Sequence, residues 1–309
     1  MIKRKIIFDC DPGHDDIFAI LFALAHPERF EILGFTTVAG NQTLEKVSNN
    51  LANVLDYLHI SLPIYKGYDK AITKPLEVQP QAHGESGMDG PVFIEKNHHF
   101  QMKHAIEFYK EMLEVHDKIT IVAIGPLTNI ALMIKTYPHL CHKIECISCM
   151  GGGIAEGNIQ KRSEFNIYHD PEAAKIVFES GVPIVLSPLE VCIKGSITFK
   201  EMEAFHHNHS VSKLVYDLFS FYSKYSKEHN FSSSPIFDVC PIYYLYKPEL
   251  FKGFNANVYI ELNGNYTQGM TITEKCEKSQ TRVLYDVDRK TFIDDFTESI
   301  FELDRKVII

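Results

Sequence analysis

Apolar runs of single-strand length alternate with segments of helical period through most of this chain, and that alternation is the strongest constraint on its fold. Lys5 to Phe8 reads as a strand, and Asp15 to Ala25 as a helix with Ile17, Ile20, Leu21 and Leu24 on one face. Glu31 to Val38 is again strand-like, and Leu44 to Leu58 is a helix carrying Val47, Leu51, Val54 and Leu55. After a loop the order resumes: helix His104 to Val115, strand Ile119 to Ile124, a helix opening at Thr128 to Ile134, and strand Ile144 to Met150. Pro171 to Phe178 and Val182 to Leu186 add one more helix and strand. Continuous apolar strands separated by helices specify an α/β fold, an open and mostly parallel sheet with helices on both faces. Ligands of such sheets bind beyond the carboxyl ends of the strands. Further on, Val211 to Lys227 reads as a long helix, and Val258 to Ile272 with Gln280 to Tyr285 as later strands or a hairpin. No linker rich in Pro, Gly or Ser divides the 309 residues, so a single domain over 1–309 is expected.

Charge and composition narrow the function classes. Lys and Arg number 31 against 40 Asp and Glu, a net charge of −9, and no basic run is long enough to track a phosphate backbone, so a nucleic-acid polymer is not an expected partner. No segment reaches the roughly 18 uncharged apolar residues of a membrane span. The run Ile6-Ile7-Phe8 is too short for a signal-peptide core. Seven cysteines, an odd number spread over a long chain, fit reduced thiols in the cytoplasm better than a disulfide framework.

The chemistry concentrates at Asp9-Cys10-Asp11-Pro12-Gly13-His14-Asp15-Asp16, four carboxylates in eight residues at the end of the first expected strand. Carboxylates this close repel and take up protons unless a cation gathers them. A hard divalent ion accepts several oxygens at about 2.3 to 2.6 Å and so answers that crowding. The alternative is that Asp15 or Asp16 caps the following helix, but capping needs one acid where this segment has four.

This segment closely resembles the N-terminal motif of the nucleoside hydrolases, the calcium-dependent inosine-uridine N-ribohydrolase family. Further blocks follow in the family's order: Thr36-Thr37-Val38-Ala39-Gly40-Asn41, His83-Gly84-Glu85-Ser86-Gly87-Met88, Gly125-Pro126-Leu127-Thr128-Asn129, Met150-Gly151-Gly152-Gly153 and Glu164-Phe165-Asn166. The resemblance implies the nucleoside hydrolase fold with its Rossmann-like core. It also implies hydrolysis of ribonucleosides to ribose and free base, with calcium as cofactor, in nucleoside salvage, by a homodimer or homotetramer. By the same resemblance Asp11, Asp16 and Asp238 are calcium ligands, joined by the carbonyl of Ile124, and Asp11 is also the general base for water. Asp15, Asn41, Asn158, Glu164 and Asn166 would hold the ribose, and Asp9 would support the site. Anionic and acceptor groups around the sugar suit the chemistry, because cleaving an N-glycosidic bond builds positive charge on the ring.

The base side is less defined. Phe165 belongs to a family block, and Phe221, Tyr225 and His229 share a face of the long helix, where they could stack a flat ring or simply fill the core. His83, in a pocket loop, is expected to donate or shuttle a proton. Phe237 stands where many family members have a His that assists departure of the base. That departure keeps open a nucleoside- or pentose-binding protein that retains calcium without turnover. A phosphohydrolase using Asp9 and Asp11 is a further alternative, although the later Asn- and Asp-rich blocks suit hydroxyls better than phosphate. Cys146 and Cys149 have metal-site spacing but sit on an expected strand, where such residues point to opposite faces. His98, His99, His206, His207 and His209 lack suitably spaced partners and read as solvated.

Overall fold

The computed structural model describes residues 3–94, 98–206, 210–228 and 231–307. Its strands are β1 (Arg4–Cys10), β2 (Phe30–Thr37), β3 (Ile64–Lys66), β4 (Ile119–Ala123), β5 (Ile144–Met150), β6 (Ile184–Ser187), β7 (Ile197–Thr198), β8 (Ser233–Ser234), β9 (Phe251–Ile260), β10 (Thr271–Lys275) and β11 (Thr281–Val287). The helices are α1 (His14–Ala25), α2 (Leu44–Tyr57), α3 (Pro80–His83), α4 (Ala105–Val115), α5 (Thr128–Thr136), α6 (Phe165–His169), α7 (Pro171–Phe178), α8 (Leu189–Lys194), α9 (Phe199–Met202), α10 (Ser210–Glu228), α11 (Val239–Tyr246) and α12 (Arg289–Lys306). Among the described residues, none of these helices is long and apolar enough to cross a membrane.

Nine strands form one open sheet in the order β10-β9-β11-β6-β5-β4-β1-β2-β3, while β7 and β8 pair separately. Pairing is parallel from β3 across to β11, and antiparallel where β9 meets β11 and β10. The mostly parallel α/β sheet read from the sequence is therefore the observed fold.

Side-chain alternation splits the core into two layers. Ile6 and Phe8 of β1 pack with α1, α2, α10, α11 and α12, whereas Ile7 packs with α4, α5 and α7 on the other face. Helices thus cover both faces, as expected. Helix α1 differs from its amphipathic reading: every residue except Leu24 is buried, because α10, α11 and α12 close over the side that an ordinary surface helix would show to water. The two cysteines of β5 part as expected, with Cys149 in the second core layer and Cys146 against Thr120, and all seven cysteines are free thiols. His98 departs from its solvated reading, hydrogen-bonding Asn53 at 2.8 Å and approaching Asp56 at 3.3 Å. His206 is exposed and stacks on Tyr216, and His207 and His209 lie outside the described residues.

One buried acid ties the layers together. Oδ2 of Asp9 accepts from Thr36 of β2 (2.5 Å), Tyr109 of α4 (2.9 Å) and Asn129 of α5 (3.0 Å). Burial still pushes its pKa up to about 6 against the lowering effect of those bonds. Tyr109→Phe removes one donor from this buried acceptor while keeping the ring. Its unfolding free energy should fall by about 1–3 kcal/mol. A urea midpoint equal to that of the parent chain would show that the hydroxyl contributes nothing.

Candidate active site

The chain order places the sheet's switch point between β1 and β4, because β2 and β3 extend from one side of β1 while β4, β5 and β6 extend from the other. Asp11 follows the end of β1 and Ile124 the end of β4. The amide of Ile124 donates to the carbonyl of Asp9 at 2.8 Å, which fixes the two strand ends side by side. A cavity of 520 Å³ opens there. Asp15, Asn41, His83, Ile124, Asn158 and Glu164 line it, together with Phe165, Asn166, Phe237 and Asp238. Asp11 and Asp16 are fully buried beneath that lining.

Two glycines let the backbone close around Asp11. A Cβ on Gly40 would sit 2.2 Å from Oδ2 of Asp11, and one on Gly125 would sit 2.7 Å from Oδ1. Held this way, Oδ2 accepts the amide of Asn41 at 2.7 Å, while Oδ1 is buried with no hydrogen-bond partner among the described residues. Asp16 takes both Gly13 N–H (2.9 Å) and Asp11 N–H (3.2 Å), so the helix-capping role set against metal binding in the sequence is also present at this residue.

Oxygens of Asp15, Asp16 and Asp238 lie within 4.8 Å of one another. Asp15, expected on the ribose alone, is thus grouped with two expected metal ligands. Burial, reinforced by neighbouring charges, pushes Asp11 and Asp238 well above the usual carboxylate range and Asp16 up to about 8. Burial raises Asp15 to about 6, although Tyr222 donates to it at 3.3 Å. Crowded, desolvated and hard oxygen donors, one left without a partner, fit a divalent cation.

The opposite wall is preorganised by hydrogen bonds. Glu164 caps α6, its carboxylate accepting from the amides of Gly152 (2.8 Å), Asn166 (2.8 Å) and Ile167 (3.1 Å), and burial raises its pKa to about 7. Asn166 donates to the carbonyl of Ile124 at 3.2 Å, and Asn158 accepts from Phe165 N–H at 2.9 Å. Glu190 of α8 holds the loop before Asn158, accepting from the amides of Ile154, Ala155 and Glu156 at 2.7 to 3.1 Å.

On the side expected to hold the base, His83 lines the cavity, with His14 behind it, and burial holds the pKa of His83 well below its ordinary value and that of His14 down to about 4. Phe221 does not line the cavity; its ring stacks on His14 at 5.3 Å. Helix α10 presents Tyr222 and Ser226 instead. The sequence held a signal for them: extending the buried stripe Val211, Leu214, Val215, Leu218 and Phe219 by helical steps arrives at Tyr222 and Ser226. The side chain of Tyr225, and His229 as a whole, lie outside the described residues. Leu189, Ile193 and Phe231, not singled out in the sequence, add apolar wall.

Comparison with known proteins gives the family of the chain. The family described as inosine-uridine preferring nucleoside hydrolase matches residues 6–294. A pyrimidine-specific ribonucleoside hydrolase, RihA, of Salmonella typhimurium is 40% identical over 304 residues, 96% of this chain and 97% of the relative. The RihA of Escherichia coli O81 is 41% identical over 298 residues, 94% and 96% of the two chains. Among solved structures, the purine-preferring ribonucleoside hydrolase from Gardnerella vaginalis superposes with a TM-score of 0.91 at 29% identity, covering 98% of this chain and 100% of that one. The chain belongs to the nucleoside hydrolase family, whose members are N-glycosidases.

Calcium or another hard divalent cation is expected to raise the melting temperature, since a cation that the folded acid cluster would hold has no such site in the unfolded chain. In Asp238→Asn that rise should largely vanish, while the metal-free melting temperature should be no lower than in the parent, because one buried like charge is gone. Thermal melts with chelator and with graded calcium read both effects. An undiminished rise in Asp238→Asn would remove Asp238 from the metal site.

Proposed function

We propose that this enzyme hydrolyses the N-glycosidic bond of pyrimidine ribonucleosides, releasing ribose and free base for nucleoside salvage, with calcium bound by Asp11, Asp16, Asp238 and the Ile124 carbonyl. The observation that carries the reading is the cluster of buried carboxylates at the floor of a cavity whose walls carry fixed polar groups on one side and aromatic rings on the other. The pyrimidine preference is supported by the two RihA relatives.

When bound, calcium supplies Lewis acidity toward oxygen ligands. Asp11, with its Oδ1 buried and unpartnered among neighbouring carboxylates, takes the proton of the attacking water. Asp15 and Asn41 orient the ribose hydroxyls, and Asn158 and Asn166 hold the sugar from the opposite wall. Glu164, fixed by three backbone amides, and the acids opposite it place negative charge around a ring that becomes positive as the bond breaks. Phe165 and Phe237 supply flat apolar faces for the base and keep bulk water from it.

Initial rates against uridine, cytidine, inosine, adenosine and guanosine test the proposal. Uridine or cytidine should lead, chelator should abolish the activity, and calcium should restore it. A leading purine would overturn the base preference alone. Because buried polar groups lose a partner, 2′-deoxyuridine should fall at least about 100-fold below uridine in kcat/KM. Equal values would refute the ribose contacts.

A further inference from the structure

Two imidazoles lie in series on the base side of the cavity. His14, in the first turn of α1, places Nε2 2.8 Å from the carbonyl oxygen of Asp89 and Nδ1 3.2 Å from Nδ1 of His83. A carbonyl oxygen only accepts, so the hydrogen on His14 is at Nε2. Both rings are buried, and their hydrogen-bond partners among the described residues are a carbonyl and each other, with no carboxylate to hold a second proton, so each is a neutral imidazole with one N–H. Nδ1 of His14 is therefore the acceptor, and Nδ1 of His83 must be the donor. The His14 ring lies nearly parallel to those of Phe221 and Tyr222 of α10, with centroids at 5.3 and 5.4 Å, which holds its plane in place.

One proton count then settles the other end of His83. With its hydrogen committed to His14, Nε2 is a bare lone pair, it makes no hydrogen bond to any described residue, and His83 lines the cavity. We propose that His14 is a positioning residue that fixes the tautomer of His83, so that His83 offers the nucleobase a hydrogen-bond acceptor. The enzyme then selects nucleosides whose base turns an N–H donor toward this wall, as uracil does with its ring N–H and cytosine with its amine. This reverses the direction expected from the sequence, in which His83 gives a proton. It rests on the nucleoside reading above, and extends it from the class of substrate to the edge of the base that is recognised.

The calcium-loaded enzyme, labelled with nitrogen-15 histidine, reports the tautomer directly in a long-range proton–nitrogen correlation, with His83→Ala identifying the resonances. The expected spectrum has a protonated Nδ1 and a bare Nε2 on His83. His14→Phe keeps the stacked ring and removes the acceptor, and should shift His83 toward the Nε2–H form. In the parent enzyme, 3-methyluridine, which lacks the ring N–H, should fall at least about tenfold below 5-methyluridine in kcat/KM, and this ratio should shrink in His14→Phe at unchanged calcium content. A protonated Nε2 on His83 of the parent overturns the proposal, as does an unchanged tautomer in the variant; the parent spectrum decides even if His14→Phe fails to fold. If no nucleoside is hydrolysed, the functional reading fails on its own while the spectrum still reports the tautomer.

Discussion

The structure is organised around mutual repulsion among buried carboxylates. Asp11, Asp15, Asp16 and Asp238 are withdrawn from water at the ends of two adjacent parallel strands, β1 and β4, where the chain order of the sheet reverses, and burial drives all four toward their protonated forms. A fold would abandon such an arrangement unless something else fixed it. Here the fixing is mostly backbone: amides of Asp11, Gly13 and Asn41 reach the carboxylates, and glycines at 40 and 125 allow main chain to approach where any side chain would collide. Asp9 one step back on β1 braces the same strand end through three side chains from three elements.

That division explains what the sequence disclosed. The parallel sheet was legible because its strands are apolar on both faces, and β5 and α7 were readable to the residue. The three-residue β3 and the helices α11 and α12 were not read. β3 is too short to show a period, and α11 is apolar nearly all round beside the Asp238 turn. α12 shows the opposite case, charged enough along its length to pass for surface chain, yet burying Phe292, Phe296 and Ile300.

The site was legible in proportion to how locally it is encoded. Four acids within eight residues announce themselves. Asp15 illustrates the limit, since only the approach of α10 and of the segment carrying Asp238 shows that it stands between a tyrosine hydroxyl and two other acids. Tyr222 was missed by one helical position because the aromatic spacing of Phe221 and Tyr225 is more conspicuous than the continuation of the apolar stripe. The partnership of His14 with His83 joins residues 69 positions apart and leaves no local signature.

The turn from Asp11 to Asp16 also serves both ends of the substrate cavity at once. Asp15 and Asp16 leave the start of α1 toward the acid cluster, while His14 leaves it toward His83. One residue inserted in this turn would rotate the following helix by about 100° relative to the strand and misdirect both sets together. Because α1 is buried on nearly every side, no compensating roll of the helix is available. The length of this segment therefore constrains the site as tightly as its composition does, and the walls that can be altered without disturbing both sets are those supplied by other elements, such as the α10 face and the segment around Phe237.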